Sequence, residues 1–480
     1  MYGTVGLNTF AKLFRICFVI AVTILMSQAN PRSAEAQQSP SPPPYQQLRY
    51  EEDYSYLRDP TRRTDLWDTV KYIPINEKGD WYLSTGGEVR ERYEYFHNSL
   101  WGQGPQDSDG YLLQRYMLHA DLHLGTHVRL FGQLKSGLEN GRTGGPRPTD
   151  EDKLDLHQAF LDGALGIYDD VSLTMRAGRQ EIAYGSSRLV SVREGPNVRQ
   201  SFDGLRMILN AGLWRVDGFF TRPVETNPGY FDDGSDRKRA LWGGYAAGPF
   251  SILPRGNIDL YYLGIRRKEA EFDQGTANEL RHSVGTRLWG RIQAWDYNFE
   301  FVYQWGKFGE GRIQTWTIAS DTGYTLHSAL FSPRIGLKAN IASGDRDPNE
   351  QDLQTFNALF PRGAYFSEAS LIGPANFMDL HPSLDLHLTE RVTLTTDWDF
   401  FWRQSVRDGI YGNAVNLVRS GQGSRARYIG SQPQAQAEWR ANRHLTFTAV
   451  YAHFFAGPFL KETQPGKDVD YFTAWVTYKF

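Results

Sequence analysis

Trp295-Asp296-Tyr297-Asn298-Phe299-Glu300-Phe301-Val302-Tyr303-Gln304-Trp305 decides the fold. Aromatic rings stand at every second position, with Asp296, Asn298, Glu300 and Gln304 between them. Successive side chains of a β-strand point to opposite faces, so this stretch has one aromatic face and one mainly polar face. At a helical period the rings would surround the axis and leave no single face to bury.

The pattern extends outward from there. Val392, Leu394, Thr396, Trp398, Phe400 and Trp402 alternate with Thr393, Thr395, Asp397, Asp399, Phe401 and Arg403. Leu380, Leu384, Leu386 and Leu388 alternate with His381, Ser383, Asp385 and His387, and Val128, Leu130, Leu134 and Leu138 with Arg129, Gln133, Lys135 and Glu139. The hydrophobic fraction is only 40% while the aromatic fraction reaches 14%. A membrane β-barrel has this composition because only every second residue meets lipid.

The links between strands also alternate. Short turns fall at 125–127, 166–170, 210–212, 248–256, 291–294, 328–332, 389–391 and 441–444. Mostly longer polar links fall between them, at 97–110, 140–153, 184–199, 223–238, 268–279, 345–375, 404–425 and 457–468, with 306–311 as the short exception. This predicts an all-β fold: a transmembrane, antiparallel, up-and-down barrel of about eighteen strands, with turns in the periplasm and long loops outside. A barrel of that size is wide enough to hold water. Trp81, Tyr82, Tyr93, Tyr95, Trp242, Trp289, Trp295, Trp305, Trp398, Trp402 and Trp439 fall near strand ends, where amphipathic rings favour the headgroup level.

Both chain ends agree with export to an outer membrane. Lys12 and Arg15 flank a short apolar run, Ile16 to Met26, and Ala34-Glu35-Ala36 supplies a cleavage site. Residues 1–36 read as a signal peptide, residues 37–80 as a polar linker and lead-in, and residues 81–480 as the barrel. The single cysteine, Cys17, lies in the signal, so no disulfide, thiol nucleophile or cysteine metal site is expected. Phe472, Ala474, Val476, Tyr478 and Phe480 form a last strand that ends on an aromatic residue, a pattern that resembles the C-terminal signal of bacterial outer-membrane barrels and implies recognition by the barrel-assembly machinery. The lead-in is too short for the plug domain of an active transporter.

Charges on the polar parity face the lumen, because Arg or Lys at the lipid midplane costs roughly 2–4 kcal/mol. The pore-lining candidates are Arg90, Arg92, Arg115, Arg129, Lys135, Arg176, Arg206, Arg215, Arg287, Arg334 and Arg403, joined by Arg281 and Lys338. Glu88, Asp121, Asp162, Asp217, Asp296, Glu300, Asp397, Asp399 and Glu438 share that parity. Two readings stay open: a basic constriction that selects anions, and Arg–carboxylate pairs that brace the wall.

The net charge of −3 leaves no basic footprint for nucleic acid. His119, His123 and His157 lie on or near inward positions, but no nucleophile elbow, phosphate loop or zinc-protease motif accompanies them, so no catalytic site or cofactor is expected. Asp345-Arg346-Asp347 reads as a loop salt bridge, because two carboxylates make a poor calcium site. No metal is expected.

Gly178-Arg179-Gln180-Glu181, Ser201-Phe202-Asp203-Gly204-Leu205-Arg206, Ser343-Gly344-Asp345-Arg346-Asp347-Pro348 and Phe356-Asn357-Ala358-Leu359-Phe360-Pro361, in that order, resemble the alginate export family of outer-membrane barrels. The resemblance runs from about Trp81 to Phe480. It implies a monomeric eighteen-stranded barrel, lined by basic residues and partly closed by loops, that passes an anionic polysaccharide outward. The mixed sign of the inferred lumen leaves smaller anions as cargo, and a diffusion porin for small nutrients as the main alternative. An outer-membrane hydrolase is a weaker one.

Overall fold

In a computed structural model, residues 42–253 and 255–480 are described. The signal segment and the start of the linker lie outside them. The chain divides into two compact units, Met1–Pro44 and Tyr45–Phe480, and the first contributes only Pro42, Pro43 and Pro44, in irregular conformation.

The second unit is a closed barrel of eighteen antiparallel strands. They are β1 (Trp81–His97), β2 (Tyr111–Leu124), β3 (Val128–Asn140), β4 (Asp152–Tyr168), β5 (Val171–Gln180), β6 (Phe202–Ala211), β7 (Trp214–Glu225), β8 (Arg239–Phe250) and β9 (Gly256–Phe272). The second half continues with β10 (Gly275–Ile292), β11 (Trp295–Phe308), β12 (Gly311–Thr325), β13 (Arg334–Ala342), β14 (Phe377–His387), β15 (Val392–Trp402), β16 (Tyr428–Arg440), β17 (Leu445–Ala456) and β18 (Val469–Lys479). Each strand pairs with its neighbours in the chain, and β1 closes the circle by pairing with both β2 and β18, from Glu88 against Lys479 to His97 against Asp470. Closure leaves no unpaired sheet edge in hydrocarbon, where each unsatisfied peptide group would cost several kcal/mol.

On β11 the outward parity is Trp295, Tyr297, Phe299, Phe301, Tyr303 and Trp305, with Trp295, Phe301, Tyr303 and Trp305 exposed. Wholly apolar Phe fills the middle, and Trp and Tyr occupy both ends. At ~3.4 Å per residue the two tryptophans are roughly 34 Å apart along the strand, and a tilt of about 45° brings that to an apolar band about 25 Å tall.

The inward parity holds for every acidic candidate on the strands. Two of the interface aromatics point inward instead. Tyr82 is buried between Tyr72 and His123, with ring centroids 4.7 and 4.4 Å away, and Trp289 donates to Asp259 at 2.9 Å. The lumen contains ring-stacking partners for Tyr82 and an acceptor for the Trp289 N–H, and these outweigh the interface preference.

Residues 268–279 do not form a long loop. β9 runs to Phe272 and β10 begins at Gly275, with a register shift between Arg267 and Ala270. Charge there marks a hairpin standing in water, where Lys238 bonds Glu269 at 2.6 Å.

The depth profile is testable by urea unfolding in lipid or detergent. Phe301→Arg should destabilise the barrel by about 2–4 kcal/mol, whereas Trp305→Arg near the rim should lose about 0–1 kcal/mol through the charge. Equal losses would contradict the assigned band.

Candidate pore and the segments that fill it

The polar lead-in is part of the pore. Tyr50 stands inside the lumen, edge-on to Phe131 on β3 and Phe160 on β4, with ring centroids 6.1 and 5.4 Å away. The Arg176 guanidinium lies between Tyr50 and Phe160, 4.1 and 3.8 Å from their rings. Arg129 donates to the Tyr50 carbonyl at 2.6 Å, and the Tyr50 hydroxyl donates to the Glu181 carbonyl at 2.8 Å. Arg49 ties this segment to the chain end by donating to the carbonyls of Gly87 and Phe480, both at 2.9 Å. Tyr54 and Leu57 pack with Tyr72 and Tyr82 across the turn end, and Trp67 rests 4.3 Å from the Phe480 ring.

All eleven basic candidates point toward the interior, but seven are buried: Arg90, Arg92, Arg115, Lys135, Arg176, Arg206 and Arg403. Arg115 pairs with Glu88 at 2.6 Å and with Glu194. Arg176 pairs with Asp162 at 2.7 Å, Lys135 with Asp152 at 2.7 Å, and Arg206 with Asp217. Arg92 contacts Glu94 at 2.7 Å, and Arg90 donates to the carbonyls of Glu194 and Pro196. Arg403 lies just past the end of β15 and not on the wall. It donates to the carbonyls of Asp408, Ser424 and Ala426, and so braces the loop it opens. Removing one member of such a buried pair strands the other charge, so these groups hold the wall together.

Arg129, Arg215, Arg287 and Arg334 keep partial exposure. Arg129 pairs with Asp121, Arg215 with Asp217, Arg287 with Asp259 and Arg334 with Asp296. The three inward histidines are engaged as well: His157 lies 2.8 Å from Glu181, His123 lies 3.2 Å from Asp121, and His119 stacks on Phe131.

The long loops fold inward. After β5, residues 181–201 cross the lumen. Tyr184 stacks on Tyr245 (4.6 Å) of β8, and Arg188 donates to Asn340 of β13 at 2.9 Å. Farther along this loop, Asn197 donates to the carbonyls of Gln114 on β2 and Asp150 beside β4. Residues 343–376 run alongside, joined by a bridge between Val190 and Phe360 and by Arg362 N–H to Ser187 O at 3.0 Å. Arg188, Arg362 and Tyr365 thereby gather in mid-lumen, where Arg188 pairs with Glu300 of β11 at 3.4 Å and Asp321 of β12 lies near both arginines. Arg362 is exposed and bonds the Tyr365 carbonyl at 3.1 Å. Sequence reasoning missed Arg188 and Arg362 because they sit in loops, where parity gives no direction.

The family-like segments meet in space. Arg179 of β5 pairs with Asp203 of β6 at 2.8 Å, and Gly178 lies opposite Gly204 in register. Asp345 and Asp347 do not clasp Arg346; the loop salt bridge runs from Asp347 to Arg407 at 3.9 Å. Asp345 instead accepts from the Asp347 and Gln354 amides, at 2.8 and 3.3 Å, and its own amide donates to Asp408 at 2.9 Å.

Solvent therefore reaches only part of the wall. Inward residues on β1–β7 are mostly buried beneath the lead-in and the 181–201 loop. Asp321, Arg334, Lys338, Ser383, Asp385, Thr395, Asp397 and Gln434 on β12–β16 are partly exposed. A cavity of about 360 Å³ opens between Leu48, Tyr184, Arg206 and Tyr245, and another of about 280 Å³ lies above Arg92, Arg193 and Glu368.

Burial alters protonation in the filling segments. Burial pushes the Glu181 carboxyl up to about 7 against the opposing pull of Arg199, and Asp408 is raised by burial to about 6. Burial, aided by Arg49, pushes the Lys71 ammonium down to about 7.

A family model described as alginate export matches residues 81–474, and the chain belongs to that family. No curated protein matches it. Its fold is similar to that of OccAB1 from Acinetobacter baumannii (TM-score 0.57, 11% identity, covering 86% of this chain and 99% of that one). It is also similar to a BenF-like porin from Pseudomonas fluorescens Pf-5 (0.55, 10%, covering 83% and 98%). OpdK from Pseudomonas aeruginosa, solved with vanillate, is similar too (0.52, 11%, covering 82% and 98%). The protein is an outer-membrane channel.

Lys71 gives the docked lead-in a pH signature. Above pH 7 the folded state releases a proton that an unfolded lysine keeps to about 10.4, so stability should rise with pH between about 7 and 10. Below 7 the cost of burying the ammonium is present in full. Lys71→Met should flatten that rise in the urea midpoint and lift the midpoint at pH 6. An unchanged slope would contradict the burial of Lys71.

Proposed function

We propose that this channel passes anionic solutes passively, with chain-like acidic saccharides as the substrate class. The observation that carries the proposal is a cationic finger in mid-lumen, the exposed Arg362 beside Arg188, held by two inward-folded loops and anchored to the wall through the Arg188–Glu300 pair at 3.4 Å. Guanidinium groups suit carboxylates because they offer paired donors in a plane. Most strand arginines, and Arg188 through Glu300, are already matched by wall carboxylates, so passing solute meets Arg362 on the loop and Lys338 on the wall, which reach solvent without an ion pair among the described residues.

The facing wall sets the other half of the field. Asp296, Asp321, Asp385 and Asp397 stand among Arg334 and Lys338 on the wetted strands. A solute passing between finger and wall crosses a transverse field, which orders dipolar, hydroxyl-rich molecules with their carboxylates toward the loops. Family membership favours an acidic polysaccharide.

The second reading is a porin for small carboxylates. It is favoured by the loops and lead-in that fill much of the lumen, and by the vanillate bound to the structurally similar OpdK.

Bilayer recordings under a salt gradient separate these outcomes. Arg188→Gln/Arg362→Gln should reduce the anion preference at least several-fold. Alginate oligomers added to the wild type should interrupt the current at lower concentration than monomeric carboxylates do. Unchanged selectivity in the double variant would remove the finger from the account, and block by monomers alone would favour the second reading.

A further inference from the structure

The inner wall at β13–β15 holds a charge arrangement that the pore does not explain. Asp379 and His381 are inward neighbours on β14, and Asp397 and Asp399 are inward neighbours on β15. Asp379, His381 and Asp399 are at most 2% exposed. Each offers a ligand atom within 4.8 Å of the others. His381 Nδ1 lies 3.0 Å from Asp399 Oδ2, and Nε2 lies 3.1 Å from Asp397 Oδ1. Both contacts are close but badly angled for hydrogen bonds: neither Asp399 oxygen, nor His381 Nε2, has a hydrogen-bond partner.

One imidazole cannot neutralise three carboxylates, even if protonated. Lys338 sits opposite His381 in register, but makes no ion pair within 4.0 Å among the described residues and stays partly exposed. Buried carboxylates without hydrogen bonds are costly unless a cation sits among them. Elsewhere in this lumen the partner is an arginine or lysine. Asp152, Asp155 and Asp233 form a comparable acidic group, and there Lys135 already lies 2.7 and 2.9 Å from two of its members. At Asp399 no arginine or lysine lies within 4.0 Å among the described residues.

We propose that Asp379, Asp399 and His381 bind one divalent transition-metal cation of the Zn²⁺ class. Asp379 and Asp399 supply carboxylate oxygens, and Nδ1 of His381 supplies the nitrogen. Nε2 then faces Asp397 at 3.1 Å, so a small rotation of the ring on metal binding would let Nε2–H donate to it, the carboxylate support that orients a metal-bound histidine. Asn340 Nδ2 donates to both Asp379 oxygens, at 2.8 and 3.0 Å, and Asn340 Oδ1 accepts from Arg188. These bonds hold Asp379 in place and connect the site to the loop that carries Arg188. Three protein ligands leave a position for water. The imidazole ligand disfavours Ca²⁺ and Mg²⁺, which take oxygen.

The test uses untagged, folded full-length barrel, stripped with chelator and titrated with Zn²⁺ by calorimetry, with bound metal counted by elemental analysis. The expected result is one Zn²⁺ per chain, a higher urea midpoint on loading, and no comparable response to Ca²⁺ or Mg²⁺. His381→Ala and Asp399→Asn should abolish binding, and Asp397→Asn should weaken it about 10–100-fold. Should either ligand variant fail to fold, the visible absorption of Co²⁺ bound to the wild type reports the mixed nitrogen and oxygen ligation directly. Substoichiometric metal, a midpoint indifferent to Zn²⁺, or unchanged binding in a folded Asp399→Asn variant would overturn the assignment.

Discussion

Every peptide group that crosses hydrocarbon must be paired within the protein, and in a sheet only closure achieves this. The pairing of β1 with both β2 and β18 meets that requirement. Closure then fixes the rest of the chemistry. One parity of each strand is committed to lipid and the other to an enclosed interior, so polar function must be built from inward positions and from whatever enters at the two ends. The lead-in comes from the turn end and residues 181–201 and 343–376 come from the loop end, and together they decide which inward charges meet water.

Strands, parity and strand number were legible because they rest on a period of two that sequence displays directly. Glu300 and Asp399 could be placed on the inner wall from alternation alone. The two turned aromatics, Tyr82 and Trp289, were not legible, since a ring near a strand end satisfies either the interface or an inward partner. The hairpin at 272–275 was misplaced because polar residues of a strand standing above the membrane resemble a loop.

The candidate site was half legible. Inward arginines were found, and the near balance of acids and bases already pointed to pairing. That Tyr50 would rise between Phe131 and Arg176 could not be read from a stretch with no strand period. Arg188 and Arg362 come together through contacts between residues far apart in the chain. The group at Asp379, His381 and Asp399 had a faint signal: Asp-x-His and Asp-x-Asp on adjacent strands, each at strand spacing. Register was needed to set His381 level with Asp399.

The central claim is that the lead-in and the 181–201 loop cover one half of the inner wall and leave the other half wet. Two serines of equal chemistry report on it: Ser84 on β1, 3% exposed, and Ser383 on β14, partly exposed. With Cys17 replaced, each serine is exchanged for cysteine and treated with a small charged thiol reagent during bilayer recording. The account requires fast modification and a drop in current for Ser383→Cys, with Ser84→Cys protected. Equal reactivity at the two positions, or faster reaction at Ser84→Cys, would contradict it.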